Sequence, residues 1–229
     1  MAILLIPGFM LDADLWREME DALTEFGPFI HADLSRGDTI EAMTRSALTS
    51  APERFILIGF SMGGYVAREI ARTAQERVEA LILIATSARG DSPTLAARKA
   101  AATDKVTASN FNGMSRTAIV RSLHPDHAND DALIGRVRDM NKRLGPEAFV
   151  RQSSLVREDG RSRLSDIHCP TLVIAAAQDA LRSLDEAREL QEGVSGARLE
   201  VIEGTGHMIP LEAPDALSDV VKTWLSSIL

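Results

Sequence analysis

Short, nearly unbroken apolar runs recur along the chain, separated by stretches whose apolar positions return every three or four residues. The runs are Ile3–Ile6, Phe29–Ala32, Phe55–Ile58, Ala80–Ala85, Thr171–Ala176 and Arg198–Ile202. Runs of this length read as fully buried parallel strands, and the stretches between them as amphipathic helices. Two helix starts are marked by local signals. Asp38 and Glu41 form a capping-box pattern at Ile40, Met43 and Ala47, and Pro214 stands in a first turn before Leu217, Val221, Trp224 and Leu225. The alternation predicts an α/β fold, a mostly parallel central sheet flanked by helices.

One stretch breaks the alternation. Residues 89–165 read as helix and turn only, with breaks at Ser92-Pro93, His124-Pro125 and Gly145-Pro146. That is too long for a simple crossover and predicts a helical cap inserted within a single domain spanning 1–229. The insertion holds 14 basic and 9 acidic residues, a net of +5, so the remainder carries −13 of the overall −8. A basic cap is therefore expected on an acidic body.

The overall charge argues against nucleic-acid binding, which needs a cationic surface. No apolar run approaches the ~18 residues of a membrane helix. Met1–Leu11 is apolar but lacks a basic start and contains Pro7-Gly8, so it reads as a strand rather than a signal peptide. Cys169, the single cysteine, excludes an internal disulfide and fits a reducing, cytoplasmic compartment.

The strongest chemical signal is Gly59-Phe60-Ser61-Met62-Gly63, between a predicted strand and a predicted helix. G-x-S-x-G in that context is a nucleophile elbow, a turn tight enough to need glycines around an exposed serine. A phosphate loop needs Lys where Tyr65 stands, and a dinucleotide fingerprint needs a glycine that Phe60-Ser61 does not supply. A serine nucleophile needs a base and a group to orient it. Asp179 and His207 each follow a later strand, and parallel strands gather their C-terminal ends at one edge. Asp91 and Asp185 compete with Asp179, although helix capping accounts for both. His124-Pro125-Asp126-His127 lacks an evident third ligand for a metal and reads as a solvated loop.

With Ser61 in its elbow, Asp179 and His207 after later strands, and a helical cap between strands, the chain resembles the α/β-hydrolase superfamily over nearly its whole length. It is most similar to small bacterial cofactor-free hydrolases, among them carboxylesterases, enol-lactonases and C–C bond hydrolases. The resemblance implies an oxyanion hole on the backbone N–H groups of Met62 and Phe9, and neither cofactor nor metal. It also implies a minimal sheet, without the family's opening antiparallel pair. The chain departs from the family in having Pro7-Gly8 for His-Gly, and Ala175-Ala176-Ala177-Gln178 where a glycine usually precedes the acid.

The expected activity is hydrolysis of a small ester, lactone or thioester through an acyl-enzyme. A C–C bond hydrolase and a ligand receptor on the same scaffold are the alternatives. A haloalkane dehalogenase is excluded, because its nucleophile would be Asp at position 61. Phe9, Met10, Met62, Met114, Leu181 and Met208 are the candidates for an apolar pocket. The basic cap points to an anionic small-molecule substrate, and apolar positions in the cap leave a homodimer open.

Overall fold

A computed structural model describes residues 1–103, 106–107 and 109–229, with the backbone alone at 98, 100 and 102. The six predicted strands form one sheet: β1 (Ala2–Ile6), β2 (Phe29–His31), β3 (Phe55–Phe60), β4 (Val78–Ile84), β5 (Thr171–Ala176) and β6 (Arg198–Ile202). Their order is β2-β1-β3-β4-β5-β6, and every pairing is parallel. Residues of β1, β3 and β5 are all buried. The edge strands differ from the expectation of full burial: β2 is half-buried and β6 largely exposed, because no strand among the described residues pairs with their outer sides.

Nine α-helices and five short 3-10 turns lie among the described residues, the α-helices being α1 (Arg17–Leu23), α2 (Ile40–Ser50), α3 (Met62–Thr73), α4 (Pro93–Thr103), α5 (Arg116–Val120), α6 (Asp131–Ser154), α7 (Leu184–Gly193), α8 (Ile209–Glu212) and α9 (Pro214–Ile228). Side chains alternate across the strands and feed two cores. Ile3, Ile56, Phe60 and Ile82 face α1 and α9 on one side, through Trp16, Met19, Leu217 and Val221. Leu4, Leu57, Leu81 and Val173 face α2, α3 and α7 on the other, through Met43, Val66, Ile70 and Leu190. The cap of α2 is Thr39, whose Oγ1 accepts the Ala42 N–H at 3.0 Å, rather than Asp38.

Residues 89–165 carry α4, α5 and α6 and no strand among the described residues. The turn expected at Gly145-Pro146 is a break inside α6, where Gly145 adopts φ 78°. Ile119, Leu123, Ile134, Val137 and Met140 of this segment join the α1/α9 core, so it is packed onto the sheet domain's own interior. Much of its positive charge is matched there as well. Arg136 pairs with Glu18 at 2.6 Å, Arg143 with Asp12 at 2.7 Å and Arg89 with Glu189 at 2.8 Å. Of the insertion's counted charges, Asp104 and Lys105 and the side chain of Arg98 lie outside the described residues.

Candidate active site

Ser61 lies between β3 and α3, at the N-cap of α3, with φ 51° and ψ −113°, a positive-φ conformation that a serine adopts only under constraint. The constraints are visible. Its N–H donates to Ile84 O (2.9 Å), and its carbonyl accepts from Thr86 Oγ1 (2.7 Å) and the Gly64 N–H (3.1 Å). Two glycines make the turn sterically feasible. A Cβ on Gly59 would meet Ala67 Cβ at 2.6 Å, and one on Gly63 would meet Pro7 O at 2.5 Å. The Gly63 contact lets the loop after β1 lie directly against the start of α3.

Three loops from distant parts of the chain converge here. His207 Nε2 lies 2.8 Å from Ser61 Oγ, and His207 Nδ1 lies 2.7 Å from Asp179 Oδ2. The His207 and Asp179 side chains are 6% and 2% exposed, so water competes little for these bonds. Asp179 is itself fixed, because its Oδ1 accepts the N–H groups of Leu181 (2.7 Å) and Arg182 (2.9 Å). The imidazole packs against Phe60, ring centroids 5.2 Å apart.

The competing carboxylates lie elsewhere, and neither is a helix cap. Asp91 binds Lys99 (2.6 Å) and Arg157 (2.6 Å), and Asp185 binds Arg188 (2.8 Å). The caps beside them are Ser92 and Ser183, the latter in a full capping box with Glu186. His124 Nδ1 accepts the Asp126 N–H, and His127 meets Glu212 at 2.9 Å. Among the described residues, no three His, Cys, Asp or Glu side chains converge as metal ligands.

A cavity of about 680 Å³ opens at Ser61 and His207, lined also by Phe9, Met62, Met114 and Leu181 as expected. Met10 and Met208 do not line it and are buried instead. Neither Phe9 nor Met62 has a protein acceptor for its N–H among the described residues. Phe111 and Phe149, which pattern reading did not single out, add an aromatic wall: Phe149 meets Phe9 edge to face, centroids 5.7 Å apart, and Phe111 at a tilt, 5.4 Å apart. Lys99, Arg121, Arg157 and Arg182 give the cavity positive charge. Burial pulls the Lys99 pKa down, an effect Asp91 partly offsets. Burial pushes the Asp91 carboxyl up, but Lys99 and Arg157 outweigh it and hold it below its ordinary range.

Three supporting residues carry no local sequence signal. Gln152 Oε1 accepts the Met10 N–H (2.7 Å), and Asn141 Nδ2 donates to Met10 O (2.7 Å), so α6 grips the loop that bears Phe9. Glu212 binds the backbone around His207.

A family model described as the alpha/beta hydrolase family matches residues 3–220. The chain is 28% identical to a pimeloyl-acyl-carrier-protein methyl ester esterase of Pectobacterium atrosepticum, over 96% of this chain and 92% of that protein. A thermophilic esterase from Thermogutta terrifontis, solved with malate bound, superposes with TM-score 0.86 and 26% identity, over 100% of this chain and 90% of the other. An enol-lactonase from Burkholderia xenovorans superposes with TM-score 0.87 at 22% identity, over 98% and 91%, and shares the fold. Among the described residues no helix is long and apolar enough to cross a membrane. The chain belongs to the alpha/beta hydrolase family.

Proposed function

We propose that the protein hydrolyses a carboxylic ester of a small molecule through an acyl-enzyme on Ser61. The observation that carries this reading is the unbroken hydrogen-bonded line from Asp179 through His207 to Ser61 Oγ. With Asp179 accepting the Nδ1 proton, His207 Nε2 is free to take the serine proton as Oγ attacks the ester carbonyl. The N–H groups of Phe9 and Met62 receive the oxyanion, each such donor being worth about 3 kcal/mol. His207 then protonates the leaving alkoxide, and a water repeats the sequence to release the acid. Two similar proteins above 25% identity, the Pectobacterium and Thermogutta enzymes, are named esterases, which favours an ester as the scissile group.

The cavity volume suits a small substrate, since such sites run about 300–1,000 Å³. Its charge favours an anionic one. Lys99 and Arg157 share Asp91, Arg182 is matched by Glu186, and Arg121 has no acidic partner among the described residues. The test compares a neutral p-nitrophenyl ester with its ω-carboxylated analogue, in wild type and Ser61→Ala, at low and high salt. The wild type should hydrolyse both, prefer the anionic ester at low salt, and lose that preference as salt screens the field. Undiminished turnover by Ser61→Ala overturns the nucleophile, and equal rates for the two esters overturn the anionic preference.

A further inference from the structure

Arg68 on α3 is only 8% exposed, yet its guanidinium has no hydrogen bond or ion pair among the described residues, and its Nε is buried without an acceptor. It lies over the Tyr65 ring, 4.9 Å from the centroid. The acids that act on it from a distance, Glu69 and Asp159, are bound to Arg72 and Arg161. Burial lowers the Arg68 pKa to about 10, so the group is still a cation near neutrality. A buried charge without a counter-charge carries a heavy desolvation penalty.

The side chain opens onto a cavity of about 60 Å³ between the start of α2, α3 and residues 156–167. The other cations lining it are already matched: Arg72 to Glu69 (2.6 Å), Arg163 to Glu158 (3.5 Å) and Arg157 to Asp91 (2.6 Å). Glu69 and Glu158, held by those arginines, line it as well, as does the exposed Glu41. At roughly 10–15 Å³ per water, the space suits a few waters or one carboxylate or phosphate group. Gly160 lies directly against the guanidinium: a Cβ there would come within 2.7 Å of Arg68 Nη1 and displace it.

We propose that Arg68 anchors a second binding site, distinct from the Ser61 cavity, for a small oxyanion of carboxylate or phosphate type. The guanidinium offers the paired donors that such a group takes up, and the bound anion supplies the counter-charge the fold does not. Its occupancy ties α3 to the segment leading into β5.

The experiment measures Tm of the full chain against inorganic phosphate, and separately acetate, at constant ionic strength. In wild type one of these anions should give a saturable rise of about 3–6 °C at ten times its Kd. Arg68→Met should abolish the rise and, without anion, be at least as stable as wild type. Gly160→Ala keeps the charge, displaces the guanidinium and should weaken the anion's affinity about tenfold. At φ −102° the glycine's backbone admits alanine. A rise preserved in Arg68→Met places the anion elsewhere and overturns the proposal. So does a wild-type affinity in Gly160→Ala, or no saturable rise in wild type, the result expected if the cavity holds water alone.

Discussion

Glu212 brackets His207: its Oε1 accepts the backbone N–H groups of both flanking residues, Gly206 at 3.1 Å and Met208 at 3.0 Å. The other oxygen accepts the His124 N–H at 2.6 Å, and the carboxylate is fully buried. Glu212 thus sets the path of the loop that carries the imidazole. Glu212→Gln puts an amide donor against backbone donors and should shift that loop. Since small misplacements of a reacting group cost about 10²-fold, kcat should fall by that order with KM changed much less. Steady-state kinetics, together with a thermal melt showing a folded protein, check this.

Gln152 and Asn141 hold Met10, the residue after Phe9, in a left-handed conformation at φ 55°. Gln152→Ala leaves the Met10 N–H buried without an acceptor, a loss of about 1–3 kcal/mol. The expected result is a lower urea midpoint with unchanged m-value. If the loop presents an oxyanion donor, kcat should drop too, while a substrate-like ketone that makes no oxyanion should bind as before.

Asp91 joins the two ends of the helical insertion through Lys99 and Arg157. Its pKa is lowered in the folded protein from an ordinary value near 3.8. A depressed carboxylate contributes stability that is full above the unfolded value and is lost as pH falls through the folded one. Asp91→Asn should therefore cost about 3 kcal/mol at pH 7, as breaking one member of a buried pair does. The deficit should shrink below pH 4. Melting curves of both proteins between pH 3 and 7 measure it.

The parts of this molecule that were legible in its sequence are those with a local cause. Central strands must be apolar on both faces, so Phe55–Phe60 and Thr171–Ala176 announce themselves. The Ser61 turn needs glycines at fixed offsets, and those are readable too. Asp179 and Asp91 look alike in the sequence, because each follows a strand and only convergence in space separates them. Asn141, Gln152 and Glu212 left no trace, since a single polar residue in a helical stretch looks solvated until its distant partner is known. The charge asymmetry was countable, but its use was not. Arg136 and Arg143 bind the sheet domain's acids, while Arg121 is left on the cavity.

A serine nucleophile at position 61 has to become covalently acylated during turnover. Rapid-quench mass spectrometry of the protein mixed with p-nitrophenyl acetate detects that species. An acetyl adduct should form within one turnover on the peptide containing Ser61, be absent from Ser61→Ala and form more slowly in Asp179→Asn. Ester turnover with no adduct, or an adduct on a different residue, would contradict it.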